Sequence, residues 1–206
     1  MKHPTSRLLH GYWDRLRGER AAPERAEIEP GEIRGLLADS LVLEVDMPTR
    51  SARLRLAGTR VCALFGRELK GTPFADLWGG ADRGGTPGPW RLVEIVGEDT
   101  AGVVAGIRAT TERGESLDLE LLLLPLRHQG RTQERMLGSL SPAGIPPWLG
   151  LRPVTGLVTT SLRVLGPTRE RAAPDAAASL RDLPLPANDS LPLRRGHLLV
   201  HRGGRA

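Results

Sequence analysis

Apolar side chains recur at helical spacing early in the chain, where Leu8, Leu9, Tyr12, Trp13 and Leu16 share one face of residues 6–17. Thr5 or Ser6 can cap this helix and Gly18 can stop it. A Pro-containing link, Arg20 to Glu29, leads to a second short helix predicted near 30–38, with Pro30 in its first turn and Ile33, Leu36 and Leu37 on one face. From Leu41 the period falls to two. Leu41–Val45 and Arg53–Leu56 read as strands joined by the turn Asp46-Met47-Pro48-Thr49-Arg50. Short helices are then predicted over Thr59–Phe65, closed by Gly66, over Pro73–Trp78, and over Pro89–Glu98 beyond a glycine-rich loop. Three more strands, Val103–Thr111, Leu117–Leu126 and Arg135–Leu140, are separated by short turns containing Gly114 and Gly130.

Two strands, three short helices and a three-strand meander predict an α+β fold: an antiparallel sheet with its short helices on one face. The segment Leu117–Leu126, LDLELLLLPL, begins as an alternation and ends as a continuous apolar run. A strand buried on both faces has this pattern. It therefore belongs near the sheet centre, with the N-terminal helices on the face that the middle helices leave open.

Beyond Pro142 the pattern decays, and composition sharpens the division. Residues 150–206 hold nine Arg against four acidic residues, whereas 1–149 hold 20 basic and 20 acidic ones. A charge-balanced body argues against a nucleic-acid face on the fold, and a net +5 spread along 57 residues without stacking aromatics makes nucleic-acid contact through the tail weak. The expected organisation is N-terminal helices over 1–38, a core domain over 39–149, and a basic Pro/Ala-rich tail over 150–206. Val154–Leu165 has the composition for one further strand. Ala172–Leu193 reads as disordered, and 194–202 as a short docking segment. No apolar run is long enough to span a membrane, and no leader pattern opens the chain, so a cytoplasmic protein is expected.

Candidate chemistry is sparse. Cys62 is the single cysteine, which excludes an intrachain disulfide and a Cys-based zinc site. As the lone thiol on a short helix it reads as a small hydrophobe. The five histidines are His3, His10, His128, His197 and His201. The last two are spaced for one helix face but lack the glutamate of a zinc-hydrolase motif. The Gly79–Gly88 loop lacks the Gly-Lys-Ser/Thr of a phosphate cradle and reads as a connector. No nucleophile elbow is present. An enzyme is not expected.

The run RLRLAGTRVCALFGRELKGTPFADLW (Arg53–Trp78), with LLLLPL (Leu121–Leu126) and RMLGSLSP (Arg135–Pro142), resembles the PAS-domain family of small stand-alone alphaproteobacterial proteins over about residues 6–149. The most specific mark is Gly58-Thr59 followed by FGRELKG, Phe65–Gly71. The resemblance implies a five-stranded antiparallel sheet whose helices enclose a small cavity, used for sensing or protein contact. The matching cavity walls are Cys62, Phe65, Phe74, Trp78, Trp90 and Val93. No cofactor is evident, and the cavity leaves room for an unidentified small ligand. The resemblance supplies no catalytic residue. It does imply a signal-transduction module without an output domain of its own, acting through an unidentified signalling protein. The aromatic face of the first helix adds an expected homodimer that buries Leu9, Trp13 and Leu16. A small α+β enzyme or ligand-binding protein using the same cavity is the alternative reading.

Overall fold

Local chemistry sets the first helix, α1 (Pro4–Arg17), in the computed structural model, which describes residues 1–79 and 86–166 and the backbone of 193–195 and 198–200. Pro4 opens it, the His3 side chain accepts from the Thr5 N–H, and Arg15 and Arg17 in the last turn suit the carbonyl end. Gly18, at φ 55°, stops it. The second helix predicted near 30–38 does not form. Turns closed by three-residue hydrogen bonds, Glu32 N–H to Glu29 O and Leu36 N–H to Ile33 O, occupy that stretch, followed by a 3₁₀ turn at Leu37–Asp39. Gly31 and Gly35, each costing about 1 kcal/mol in a helix, explain the failure. Ile33 is nevertheless buried, so the apolar face is used even though the helix is absent.

The strands are β1 (Ser40–Asp46), β2 (Ser51–Ala57), β3 (Gly102–Thr111), β4 (Ser116–His128), β5 (Arg131–Pro142) and β6 (Val154–Leu165). They form one antiparallel sheet in the order β2-β1-β5-β4-β3-β6. The meander register is set by pairs such as Ile107↔Leu119 and Leu124↔Leu137. β4 lies inside the sheet, and its six residues Leu121–Leu126 are all buried.

The apolar run of β4 feeds two cores. Leu119, Leu121 and Leu123 face a cluster with α2 (Thr59–Phe65), a 3₁₀ helix (Phe74–Trp78) and α3 (Pro89–Glu98). Leu122, Leu124 and Leu126 face Leu9, Tyr12 and Trp13 of α1, with Ala22, Ile28 and Ile33. Period-two alternation sends successive residues to opposite faces. A continuous apolar run is what this double duty requires.

The sheet has six strands, not the expected five. Val154–Leu165, assigned to the tail, pairs with β3 from Gly102↔Leu165 to Thr111↔Val154 and buries Leu157 and Thr159. Without it the ten-residue β3 would present a bare edge of unpaired backbone. Residues 1–168 form one unit and 169–206 a second. In the second unit, β7 (Leu193–Arg195) and β8 (Leu198–Val200) pair antiparallel, overlapping the span of the expected docking segment. The expected disordered stretch over 172–192, and His197 and His201, lie outside the described residues, as do residues 80–85 of the glycine-rich loop. Among the described residues no helix is long and apolar enough to cross a membrane.

Candidate functional site

The helical face of the sheet is assembled by glycine-dependent joints. A Cβ on Gly58, which precedes α2, would lie 2.0 Å from the Leu37 carbonyl oxygen. Only glycine lets α2 start that close to the preceding turn. Gly66 closes α2 at φ 62°. The chain then returns along the outer side of β2, where Leu54 N–H donates to Thr72 O (2.9 Å) and Gly71 N–H to Leu54 O (2.6 Å). The Gly58–Gly71 motif is thus a packing and return device, and it delivers the Phe74–Trp78 helix beside β2.

Three of the six predicted cavity residues meet. Phe74, Val93 and Trp90 line a cleft of about 160 Å³ together with Arg50 and Arg53 from the β1–β2 turn and β2. Cys62, Phe65 and Trp78 do not line it. They pack in the same core, with Trp78 edge-on to Phe74 at a ring separation of 5.1 Å. Cys62 is half-buried, its Sγ 3.8 Å from both the Ala57 carbonyl oxygen and Glu68 Oε1.

The mouth of the cleft is cationic. Arg91 bonds Glu94 at 2.6 Å, and that guanidinium holds the Glu94 carboxyl below the usual carboxylate range. Arg50 approaches Glu94 only to 3.7 Å and lies over the Trp90 ring, 5.5 Å from its centre. Arg53 donates to the Gly71 carbonyl at 3.2 Å and, among the described residues, makes no ion pair. Among the described residues the buried indole nitrogen of Trp78 has no hydrogen-bond partner, and that of Trp90 lies near the Glu94 carboxylate without a well-formed bond to it. Arg50 sits at φ 51°, a left-handed conformation that glycine or asparagine adopts more easily.

Sequence reasoning missed Arg50 and Arg53, because the turn reads as a connector. One signal was available: a long cationic residue at the turn position after Pro48-Thr49 where Gly or Asn is ordinary.

The residues assigned to a dimer contact are occupied otherwise. Leu9 and Trp13 are buried against the chain's own sheet and Leu16 is partly buried beside them. Trp13 Nε1 donates to the Pro125 carbonyl at 2.7 Å. In the single chain Leu9 and Trp13 are thus spent on an intrachain contact. Among the described residues no group of three or more His, Cys, Asp or Glu is placed to hold a metal ion.

A six-stranded antiparallel sheet carrying short helices between β2 and β3, with an N-terminal helix on the reverse face, defines a PAS-type domain. The family model for the PAS domain matches residues 1–141, and the chain belongs to that family. The matched span ends before β6. Comparison with curated proteins and with solved structures finds no match. Membership makes the chain a sensory or interaction module, of a family that is in general not enzymatic.

Proposed function

We propose that the chain is a signal-transduction module that conveys a state of its helical face to a separate partner protein. The observation that carries this reading is PAS-family membership across α1 to β5, combined with a helical face that holds a cleft of about 160 Å³ between Arg50 and Trp90. A space of about 160 Å³ is well below the roughly 300–1,000 Å³ of sites that enclose drug-sized ligands or larger cofactors. Small-ligand sensing or direct protein contact therefore fits this face better than a haem or flavin does. A cytoplasmic location accords with this role.

The test is copurification of the full chain from its own host, followed by reconstitution from the two purified components. One protein at stoichiometric amount, rebinding with a measurable Kd, is the expected result. A purified chain that turns over metabolites by itself in an untargeted screen would count against the reading and favour the enzyme alternative.

A further inference from the structure

We infer that the groove on the reverse face of the sheet, between residues Met1–Pro4 and β6, seats an extended segment of the partner protein that carries an acidic side chain. The inference rests on the reading of the chain as a module that acts through a partner, and it adds where that partner docks and what it presents.

The groove has a volume of about 750 Å³, within the roughly 300–1,000 Å³ of sites that hold a ligand. Strand register fixes its floor. Gly106 of β3 stands opposite Glu120 of β4 on one side and Ser161 of β6 on the other, and Glu120 stands opposite Ser141 of β5. Opposite residues share a face. This row lies two residues along from Val104 and Leu122, which pack on the α1 side, so the row faces that side too. A Cβ on Gly106 would lie 2.6 Å from Ser161 Oγ and 2.9 Å from Thr160 Oγ1, so only glycine leaves room for both hydroxyls there. The β3–β6 register shifts just after Gly106, an irregularity of the kind that re-aims side chains. The row therefore carries hydroxyls and a carboxylate, and no apolar side chain.

The chain itself shows what this row takes. Glu120 accepts two consecutive main-chain N–H groups, that of Lys2 at 2.7 Å through Oε2 and that of His3 at 3.0 Å through Oε1. Polypeptide backbone is thus already held at one side of the groove. Further along the row, Ser141 is fully buried and its hydroxyl has no partner among the described residues, while Thr160 and Ser161 are exposed. Hydroxyls bond main-chain N–H and C=O alike. The groove holds more of this chemistry than Met1–Pro4 uses.

Charge selects the side chain that the segment brings. Lys2, Arg108 and Arg163 line the groove against Asp118 and Glu120. Asp118 bonds Arg108 at 3.0 Å, and both oxygens of Glu120 hold backbone. Lys2 and Arg163 are left without an ion pair among the described residues. Arg163 is exposed and stands opposite Val104, which places it on the groove face. A carboxylate matches a free guanidinium, and the hydroxyl row matches the backbone beside it. Thr160, Ser161 and Arg163 lie outside residues 1–141, the span that the family model matches, so this wall of the groove is an addition to the shared domain.

The experiment is amide NMR on the full chain, titrated with an acetylated and amidated pentapeptide of alanine with a central glutamate. Three controls accompany it: the same peptide with a central glutamine, the glutamate peptide N-methylated along its backbone, and N-acetylglutamate. Saturable shifts at Gly106, Arg108, Ser161 and Arg163 are expected with the glutamate peptide, and each control should bind at least about tenfold more weakly. Arg163→Gln, at an exposed position that leaves the fold intact, should bring the glutamate peptide down to the level of the glutamine one and leave the latter unchanged. Equal binding of the N-methylated peptide would overturn the inference, since the groove would then not read backbone. N-acetylglutamate bound as tightly as the peptide would overturn it in favour of a small-anion site, and so would the absence of any saturable shift in these strands. Partner binding is a separate readout. A reconstituted partner whose Kd is unchanged by Arg163→Gln refutes this docking site and leaves the reading beneath it standing.

Discussion

The two faces of the sheet treat their aromatic side chains in opposite ways. Under α1, both buried rings use their polar atoms: Trp13 donates to the Pro125 carbonyl at 2.7 Å, and the Tyr12 hydroxyl accepts from the Glu29 N–H at 2.8 Å. Pro125 has no N–H to give a ladder and lies past the last β3–β4 pair, Val103↔Leu123, so its carbonyl needs a side-chain partner. Under the Phe74–Trp78 helix and α3, the indole nitrogens of Trp78 and Trp90 are buried without a well-formed hydrogen bond among the described residues. A buried donor left unpaired costs about 1–3 kcal/mol. The contrast holds for the buried indoles only, because Ser139 and Ser141 on the α1 side also keep buried hydroxyls without a partner among the described residues.

The largest expected effect lies on the capped face. Trp13→Ala should lower stability by about 3–5 kcal/mol in urea melts, because it empties a buried aromatic site and leaves the Pro125 carbonyl unpaired. Loss of a dimer in sedimentation with stability intact would instead return α1 to an intermolecular role and break the comparison.

Trp13→Phe and Trp90→Phe form the sharper pair. The first removes a made hydrogen bond and should cost about 1–2 kcal/mol, whereas the second removes a donor without a well-formed bond and should change stability by no more than about 0.5 kcal/mol. Equal costs in paired melts would show that the two indoles are in equivalent environments.

The smallest effect concerns acidity. Burial beside Trp13 pushes the His10 pKa below its ordinary value of 6.5, with Asp14 opposing and Arg17 assisting. The unfolded chain then binds the proton more readily than the folded one, so stability is full above about pH 6.5 and declines as the pH falls through and below it. Thermal melts from pH 7.5 to 5.5 should show this decline, and His10→Asn should flatten it. A variant that leaves the slope unchanged would place the titrating group elsewhere.

Much of this architecture was legible because its signals are local. The spacing from Leu8 to Leu16 predicts α1, the alternation at Arg53–Leu56 predicts β2, and the switch to a continuous run at Leu121–Leu126 predicts a strand with a core on each side. The membership of β6 in the sheet was not legible. Val154–Leu165 mixes Thr and Ser with its apolar residues, and its partner β3 lies about fifty residues earlier, so no short-range pattern names the pairing. The site was half legible for a similar reason. Phe74, Trp90 and Val93 announce themselves as core-type residues near a cavity, whereas Arg50 reaches the cleft only when the turn folds back over α3.

β6 also decides how this molecule meets its neighbours in solution. By covering β3, it replaces an apolar edge with one whose exposed positions are Thr155, Thr160, Ser161 and Arg163 beside the single larger apolar Val164. Sheets lengthen and aggregate by adding strands at bare apolar edges, and polar, charged borders discourage it. A domain trimmed before Val154 would carry the same helical face on a surface prone to cross-β association, so β6 bears on its colloidal behaviour apart from any part in recognition.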